Sequence, residues 1–196
     1  MALPTINMLW IGDSLSMLEQ LAIKSFLANG HPVRLFTYGE VKHVPDGTEV
    51  ADGNRVIPAS KIFKHMNSYA AFSDYFRAVL LKKYGGYYCD IDVICLNPFD
   101  FEDDIVIGAQ NEPSHEEYLT HTVIKLPKGH PIARHLAFCA AHPLWPQPYD
   151  SRAKLKDKFN YLKQWKFPKC IGWGETAGPY ALSHAFWYYN WAKYFT

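Results

Sequence analysis

Two carboxylates, Asp90 and Asp92, stand at a spacing that could bind a cation. On an extended backbone alternate side chains share a face, so both carboxylates would point the same way as Tyr88. Buried carboxylates without a partner repel each other and are costly to desolvate, so the pair implies either a basic side chain or a bound metal. Oxygen ligands favour Mg²⁺ or Mn²⁺, and such ions usually bridge substrate phosphates. An Asp-x-Asp alone is common in unrelated chains, so its surroundings must decide between these readings.

A second charged pair, Asp74 and Arg77, precedes the carboxylates on a predicted helix. Three residues separate the two, which is also the spacing of an ordinary surface ion pair contributing roughly 0.2–0.5 kcal/mol. The helix is indicated by an apolar stripe and by Asn67 or Ser68 as its cap. The stripe recurs at three-and-four spacing and comprises Phe72, Tyr75, Phe76, Val79 and Leu80.

Gly85 and Gly86 end this helix and lead into the acidic segment. Glycine tolerates the left-handed backbone that closes a helix, so the pair turns the chain directly into Tyr87–Val93. That segment is rich in aromatic and branched residues, which predicts a buried strand. Helix, double glycine and paired carboxylates in this order favour one joint site over three accidental features.

The remaining elements alternate as expected for a mixed α/β sheet flanked by helices. A strand, a helix and a second strand at the start of the chain predict a βαβ unit, with Asp13 or Ser14 as the helix cap. Residues 40–58 are turn-rich and are predicted as loops with a short strand near Arg55–Ile57. The other predicted strands are Ile6–Ile11, Val33–Tyr38, Ile105–Ala109 and Thr122–Leu126, and the other helices are Leu15–Leu27 and Pro131–Ala141.

The end of the first strand supplies a candidate for base recognition. Ligands of open βαβ sheets bind at the carboxyl ends of the strands, where Trp10 and the turn at Gly12 would lie. Trp10 could stack on a nucleotide base, or it could be a core residue, since tryptophan buries much area wherever it lies.

Composition is consistent with a single-domain enzyme. The 196 residues, of which 48% are hydrophobic, can bury a sizeable core, and a net charge of +1 argues against a general nucleic-acid binder. The sequence contains neither a long apolar run nor a basic-then-apolar leader, so we expect a cytoplasmic protein. Its four cysteines lack paired metal spacing and are expected to be reduced core residues.

Three separated blocks of the sequence resemble glycosyltransferase family 32, the Asp-x-Asp group that includes fungal mannosyltransferases, bacterial capsule enzymes and the catalytic domains of glucosylating toxins. The blocks are LPTINMLWIG, then SDYFRAVLLKKYGGYYCDIDVICLNPFD, in which Phe72 separates the serine from the preceding alanines, and TAGPYALSHA. The resemblance implies one GT-A catalytic domain over residues 1–196 that transfers a hexose from a UDP- or GDP-linked sugar. It further implies a saccharide or lipid-linked acceptor, retention of anomeric configuration, and polysaccharide biosynthesis as a role.

The resemblance also implies roles for individual residues. Trp10 resembles the base-stacking residue, Asp74 the aspartate near ribose and sugar hydroxyls, and Arg77 the arginine that reaches the donor sugar or its phosphate. Tyr88 resembles the tyrosine beside the diphosphate, Asp90 the acid that contacts ribose or metal-bound water, and Asp92 the direct ligand of Mn²⁺ or Mg²⁺. Thr176 and Gly178 fall in the glycine-proline block near the donor sugar, with Ala177 and Pro179.

The sequence departs from the family pattern at two places. The family's metal-site tail, which carries histidine or tryptophan, is not found before Thr196, so either it is missing from this chain or Glu175 or His184 substitutes for it. His121 stands where many members have asparagine, which predicts an altered donor preference.

Two other functions remain alternatives: a sugar-nucleotide-binding module or partner subunit without turnover, and a nucleotidyltransferase. Against the nucleotidyltransferase, this sequence has no glycine-rich phosphate loop with its lysine near the N-terminus.

The segment Asp150–Lys169 has seven basic and two acidic residues, with Leu155, Phe159, Leu162 and Trp165 at helical spacing. It predicts an amphipathic helix that either covers a core or rests peripherally on anionic lipid.

Overall fold

The computed structural model describes residues 2–111, 117–172 and 174–194. Within them, six strands form one mixed sheet in the order β3-β2-β1-β4-β6-β5. The predicted mixed α/β architecture is therefore confirmed. The strands are β1 (Ile6–Leu9), β2 (Val33–Thr37), β3 (Thr48–Asp52), β4 (Gly86–Cys89), β5 (Val106–Asn111) and β6 (Glu117–Leu126).

The sheet has a parallel part and an antiparallel part that meet at β4. β1 pairs in parallel with both β2 and β4, and β2 pairs in parallel with β3. β6 then pairs antiparallel with both β4 and β5. The carboxyl ends of β1 and β4 consequently lie side by side at one edge of the sheet.

Five α-helices pack around this sheet in the described residues: α1 (Met17–Ala28), α2 (Ala70–Tyr84), α3 (Pro131–Ala141), α4 (Arg152–Lys163) and α5 (Pro179–Tyr188). One core lies between the sheet and α1, where Phe26 packs with Met8 and Tyr87. The other lies beneath α2, α3 and α5 and includes Phe76 and Tyr88. Because alternate strand residues enter opposite cores, Tyr87 and Tyr88 separate as predicted.

Several predicted boundaries are wrong. The cap of α1 is Ser16, not Asp13 or Ser14, because Ser16 and Glu19 form a reciprocal capping box. The third strand is Thr48–Asp52 and pairs along the whole of β2, whereas Arg55 lies in a short 3₁₀ turn begun by Asp52. Thr122–Leu126 is only the second half of a longer β6.

The segment around the site also differs from its prediction in detail. α2 begins at Ala70, and although neither Asn67 nor Ser68 occupies the cap position, the Ser68 hydroxyl accepts a hydrogen bond from the Ala70 amide. β4 ends at Cys89, so the segment to Val93 is a turn rather than a strand. Gly85 ends α2 with a φ of 71°, as the double glycine predicted.

The four cysteines are buried, as expected of core residues, and none of them forms a disulfide in this structure. In the part of the chain that the structure describes, no helix is long and apolar enough to cross a membrane.

Candidate functional site

A cavity of about 660 Å³ opens where β1 and β4 end. Its walls bring together six of the residues singled out in the sequence, which come from five different elements or turns. These six are Trp10, Asp74, Arg77, Tyr88, Asp90 and His121, and Asp92 lies at the same cavity. The predicted helix and the carboxylate pair that follows its double glycine therefore contribute to one site.

Helix α2 places Asp74 and Arg77 beside the cavity because its apolar stripe fixes its rotation. Phe72, Phe76 and Leu80 are fully buried against the sheet, so the positions next to this stripe face the ends of β1 and β4. Tyr75 and Val79, the other stripe members, are only partly buried.

Arg77 is the centre of the polar network, with only 3% of its surface exposed. Its guanidinium donates to the Asp74 carboxylate at 3.3 Å and makes a close ion pair with Asp90. It also lies over the Tyr88 ring, 4.7 Å from the ring centroid. The cationic partner of Asp90 is therefore a basic side chain, that of Arg77.

Burial dominates the electrostatics of these groups. Desolvation raises the pKa of Asp74 to about 6, although the charge of Arg77 acts in the opposite direction. The pKa of Asp90 is also raised by desolvation, with Arg77 again opposing. Burial alone would lower the pKa of Arg77, but the negative charges of Asp90 and Asp74 leave it above its usual value. The site therefore holds a fixed positive charge between two carboxyl groups whose pKa values are raised by burial.

His121 is fully enclosed in the same network. Burial and the neighbouring Arg77 charge hold its pKa well below the usual value, so its ring is neutral. Nδ1 contacts an Arg77 N–H group, and since that group only donates, Nδ1 must be the acceptor. The ring proton is thereby assigned to Nε2, which lies 3.5 Å from Asp74 Oδ1.

Tyr88 is held by its hydroxyl as well as by its ring. Its oxygen lies 3.1 Å from the Ser73 hydroxyl, one residue before Asp74 on α2. Desolvation raises the pKa of Tyr88, so the phenol stays protonated at neutral pH and can donate.

Asp92 differs from the other carboxylates in being exposed at the cavity mouth. The turn after β4 leaves it without an ion pair among the described residues. No cluster of three or more histidine, cysteine, aspartate or glutamate side chains suited to a metal occurs in that part of the chain. Any metal held here would have to take most of its ligands from elsewhere.

Buried nitrogen donors without a partner are concentrated in this cavity's walls. Trp10 Nε1, Arg77 Nε and His121 Nε2 are buried and donate no hydrogen bond within the described residues, although His121 Nε2 lies 3.5 Å from Asp74 Oδ1. An unmet buried donor typically costs about 1–3 kcal/mol, so an oxygen-rich ligand would relieve several such penalties. The site is short of acceptors rather than donors.

The other predicted site residues lie around the cavity without lining it. A Cβ at Gly12 would come within 2.9 Å of Trp10 Nε1, so this glycine gives the indole its place. A Cβ at Gly178 would come within 2.8 Å of Asp74 Oδ2. Thr176 bonds instead to its own loop, through the Ile171 amide at 3.2 Å. Glu175 pairs with Lys154, and exposed His184 stacks near Tyr149.

Sequence reasoning missed some of the residues that line the cavity. Ser73 could have been found, because it precedes Asp74 on the predicted helix, but Gln110 and Thr120 come from the β5–β6 pair and carry no local signal. Glu19 and Tyr69 were also missed; both lie at helix starts near the strand ends.

Comparison with known proteins bears on the same region. Residues 19–112 match the family model described as a glycosyltransferase sugar-binding region containing a DXD motif. That range includes Asp74, Arg77 and the Asp90–Asp92 pair. No curated protein matches the chain.

Three solved structures, one of which is titled a glycosyltransferase, share the fold. The PaToxG glycosyltransferase is 19% identical with a TM-score of 0.61, and the alignment covers 95% of this chain and 69% of that one. The catalytic domain of alpha-toxin from Clostridium novyi is 12% identical with a TM-score of 0.56, covering 94% and 72%. A structure titled as a transferase mutant is 10% identical with a TM-score of 0.50, covering 81% and 84%. The predicted GT-A type fold is confirmed, whereas membership of family 32 in particular stays a prediction.

Proposed function

We propose that this chain is a metal-dependent retaining glycosyltransferase that moves a hexose from a nucleotide diphosphate sugar to an acceptor. The observation that carries the proposal is the buried Arg77, set between Asp74 and Asp90 in a cavity at the carboxyl ends of β1 and β4. The match of residues 19–112 to a DXD sugar-binding region supports it. A saccharide or lipid-linked molecule is the proposed acceptor.

The donor's base is assigned to the Trp10 end of the cavity. Trp10 is partly exposed at the cavity wall, and Gly12 leaves room beside its indole. Aromatic faces stack on bases, and the unmet indole N–H adds a donor at the edge of the ring.

Asp74 and His121 are assigned to the donor's hydroxyl groups. Asp74 can accept through its carboxylate, and His121 Nε2–H offers a buried donor beside it, 3.5 Å from Asp74 Oδ1. Because both are fixed by Arg77, they meet a sugar or ribose hydroxyl without first having to be ordered. Histidine at position 121 would distinguish hydroxyl patterns differently from the asparagine of the resembling family.

The donor set fits a divalent cation bound mainly by phosphate. Mg²⁺ and related ions are often held by one or two carboxylates together with substrate phosphates, and Asp92 offers an exposed carboxylate at the cavity mouth. Asp90 is already paired with Arg77, so Asp92 is the better ligand of the two. A bound divalent ion would stabilise negative charge on the departing diphosphate.

The chain's own residues supply positioning and charge. The Arg77 guanidinium has its terminal nitrogens engaged by carboxylates and His121, so it acts on the leaving group mainly through its fixed positive charge. Tyr88, protonated and held by Ser73, is assigned to a diphosphate oxygen. Asp74 and Asp90 are both held by Arg77, which favours attack from the face of departure over a covalent intermediate on either carboxylate.

Donor hydrolysis tests this function directly. The chain is incubated with UDP- and GDP-linked hexoses, with and without Mn²⁺, and free sugar is measured. Release that depends on Mn²⁺ is expected. Binding without release would instead identify a sugar-nucleotide-binding module, and formation of pyrophosphate would identify a nucleotidyltransferase.

Asp92→Asn sharpens the test, with Asp46→Asn as the matched control on an exposed loop. The Asp92 change removes a ligand charge without removing core volume, so we expect a loss of roughly 100-fold or more in Mn²⁺-dependent turnover with an unchanged Tm. Asp46→Asn should leave both unchanged. Full activity of Asp92→Asn would contradict the metal assignment, and an inverted anomeric product by NMR would contradict retention.

A further inference from the structure

Helix α4 is attached to the protein by its charges. Lys158 is its one buried residue and bonds to Asp150 at 2.5 Å and to the Trp145 carbonyl at 2.8 Å. Lys154, four residues earlier on the same side, reaches Glu175 at 2.9 Å and lies 3.5 Å from Asp150. An ordinary surface helix does the reverse, burying its apolar stripe and exposing its charges.

The apolar stripe of α4 consequently faces solvent. Leu155, Phe159 and Leu162 recur at helical spacing and all three are exposed, Phe159 by 65%. Beyond the helix, Trp165 is 83% exposed and Phe167 65%. These five residues are called the outer face of α4. The expectation that the stripe covers a core is wrong, because Lys158 and Lys154 occupy the inner side.

A groove of about 930 Å³ continues this surface. Leu162 and Phe167 of the outer face form part of its wall, together with Ile62 and Phe63. Trp145, itself 61% exposed, lines it as well. The exposed apolar area is therefore a continuous patch rather than scattered side chains, and patches of this kind mark interaction sites.

Basic residues accompany the patch on the same side. Three basic residues share the face of the helix that carries Phe159. Arg152 lies seven residues before Phe159, Lys156 three residues before it and Lys163 four residues after it. Exposed Lys61 and Lys169 lie at the groove. Of the two acids in the segment, Asp150 is wholly buried, and Asp157, two residues from Phe159, lies on the opposite side of the helix. The exposed charge beside the patch is positive.

We infer that the outer face of α4 and the adjoining groove dock on an anionic membrane surface. Aromatic and leucine side chains flanked by lysine match the boundary between lipid acyl chains and headgroups, where the rings enter and the cations meet phosphates. A second copy fits less well, because a two-fold contact would bring the lysine rows of both copies together. This docking does not depend on the proposed transferase activity.

Vesicle co-sedimentation tests the inference with the full chain. Vesicles of equal parts phosphatidylserine and phosphatidylcholine should bind it, and vesicles of phosphatidylcholine alone should bind roughly tenfold less. The double change Lys156→Glu and Lys163→Glu should reduce binding to the mixed vesicles by roughly tenfold or more, and Phe159→Ser with Trp165→Ser should do the same. Lys24→Glu with Lys82→Glu, an equal charge change at exposed positions elsewhere, should retain most of the binding.

Thermal unfolding of each variant is measured alongside, and an unchanged Tm is expected because every substituted side chain is exposed. If one of the two double variants fails to fold, the remaining variant and the comparison of the two vesicle compositions still test whether the outer face of α4 binds anionic lipid. Equal sedimentation with both compositions, or no sedimentation, would overturn the inference. So would a concentration-dependent dimer that the Phe159 and Trp165 changes abolish.

Discussion

Helices α2 and α4 each bury a basic side chain against carboxylates, but they are oriented in opposite ways. α2 buries Phe72, Phe76 and Leu80 and carries Arg77 at the edge of that stripe, next to a cavity. α4 buries Lys158 and leaves Phe159 in solvent. In α2 the ion pairs shape a site while apolar packing holds the helix. In α4 the ion pairs themselves hold the helix, which frees the apolar side for another partner.

The largest effect on stability and turnover together is expected from removing the positive charge of Arg77 on α2. Arg77→Met leaves the largely buried Asp74 and the partly exposed Asp90 without their shared partner, which should lower the free energy of unfolding by about 3 kcal/mol and abolish turnover. The loss should be smaller at pH 5 than at pH 8, because the unpaired carboxyls can then be protonated. Urea denaturation at the two pH values measures this. A variant as stable as the wild type at pH 8 would show that the network is not needed for folding.

The corresponding change in α4 should cost no more stability than that. Lys158→Met removes the cation closest to buried Asp150, but Lys154 remains 3.5 Å away, so a loss of at most about 3 kcal/mol is expected. Lys156→Met, on the exposed side, is the control and should stay within about 0.5 kcal/mol of the wild type. Equal stability of the two variants in urea would mean that apolar contacts, not charges, attach α4.

A pH dependence distinguishes Asp74 from a simple surface acid. Its pKa is raised from 3.8 to about 6 on folding, so the folded state holds the proton more tightly. The stability due to this group is complete below about pH 4 and is lost as the pH rises through 6. Asp74→Asn lacks this titration.

The stability of Asp74→Asn relative to the wild type should therefore increase between pH 4 and pH 7, by up to about 3 kcal/mol. Tm measured across this range for both proteins gives the difference. A constant difference would contradict the buried, desolvated state assigned to Asp74.

The smallest effect is expected on the outer face of α4. Phe159→Ala should change the free energy of unfolding by no more than about 0.5 kcal/mol, since the ring is already exposed. The same change at Phe76, fully buried on α2, should cost about 3–5 kcal/mol. Chemical denaturation of the pair compares the two helices directly, and a large loss at Phe159 would mean that its ring is packed in solution.

Much of α2 and its surroundings could be predicted because the signals are local. The apolar spacing gave its rotation, Gly85 its end, and the alternation after Gly86 the separation of Tyr87 from Tyr88. The convergence of Asp74, Arg77 and Asp90 follows from those local features together with parallel pairing of β1 and β4.

The orientation of α4 could not be predicted in this way. Its periodicity is that of an ordinary amphipathic helix, and only the position of Asp150 in the folded protein decides which side turns inward. Likewise, the sequence alone does not decide whether the partner of Asp90 is a metal or a basic side chain, because that depends on how far Arg77 reaches across from α2. His121 comes from β6, whose distance along the chain from α2 hides its contact with Arg77.

Gly178 makes the cavity sensitive to substitution at a position that is not part of its lining. At the start of α5, a side chain there would meet the Gly174 Cα at 2.5 Å and Asp74 Oδ2 at 2.8 Å. In a saturation-mutagenesis screen for turnover, we expect position 178 to tolerate no replacement, because any side chain would displace the Asp74 carboxylate. Because glycine has only a hydrogen atom in place of a side chain, position 178 leaves the space that the Asp74 carboxylate occupies.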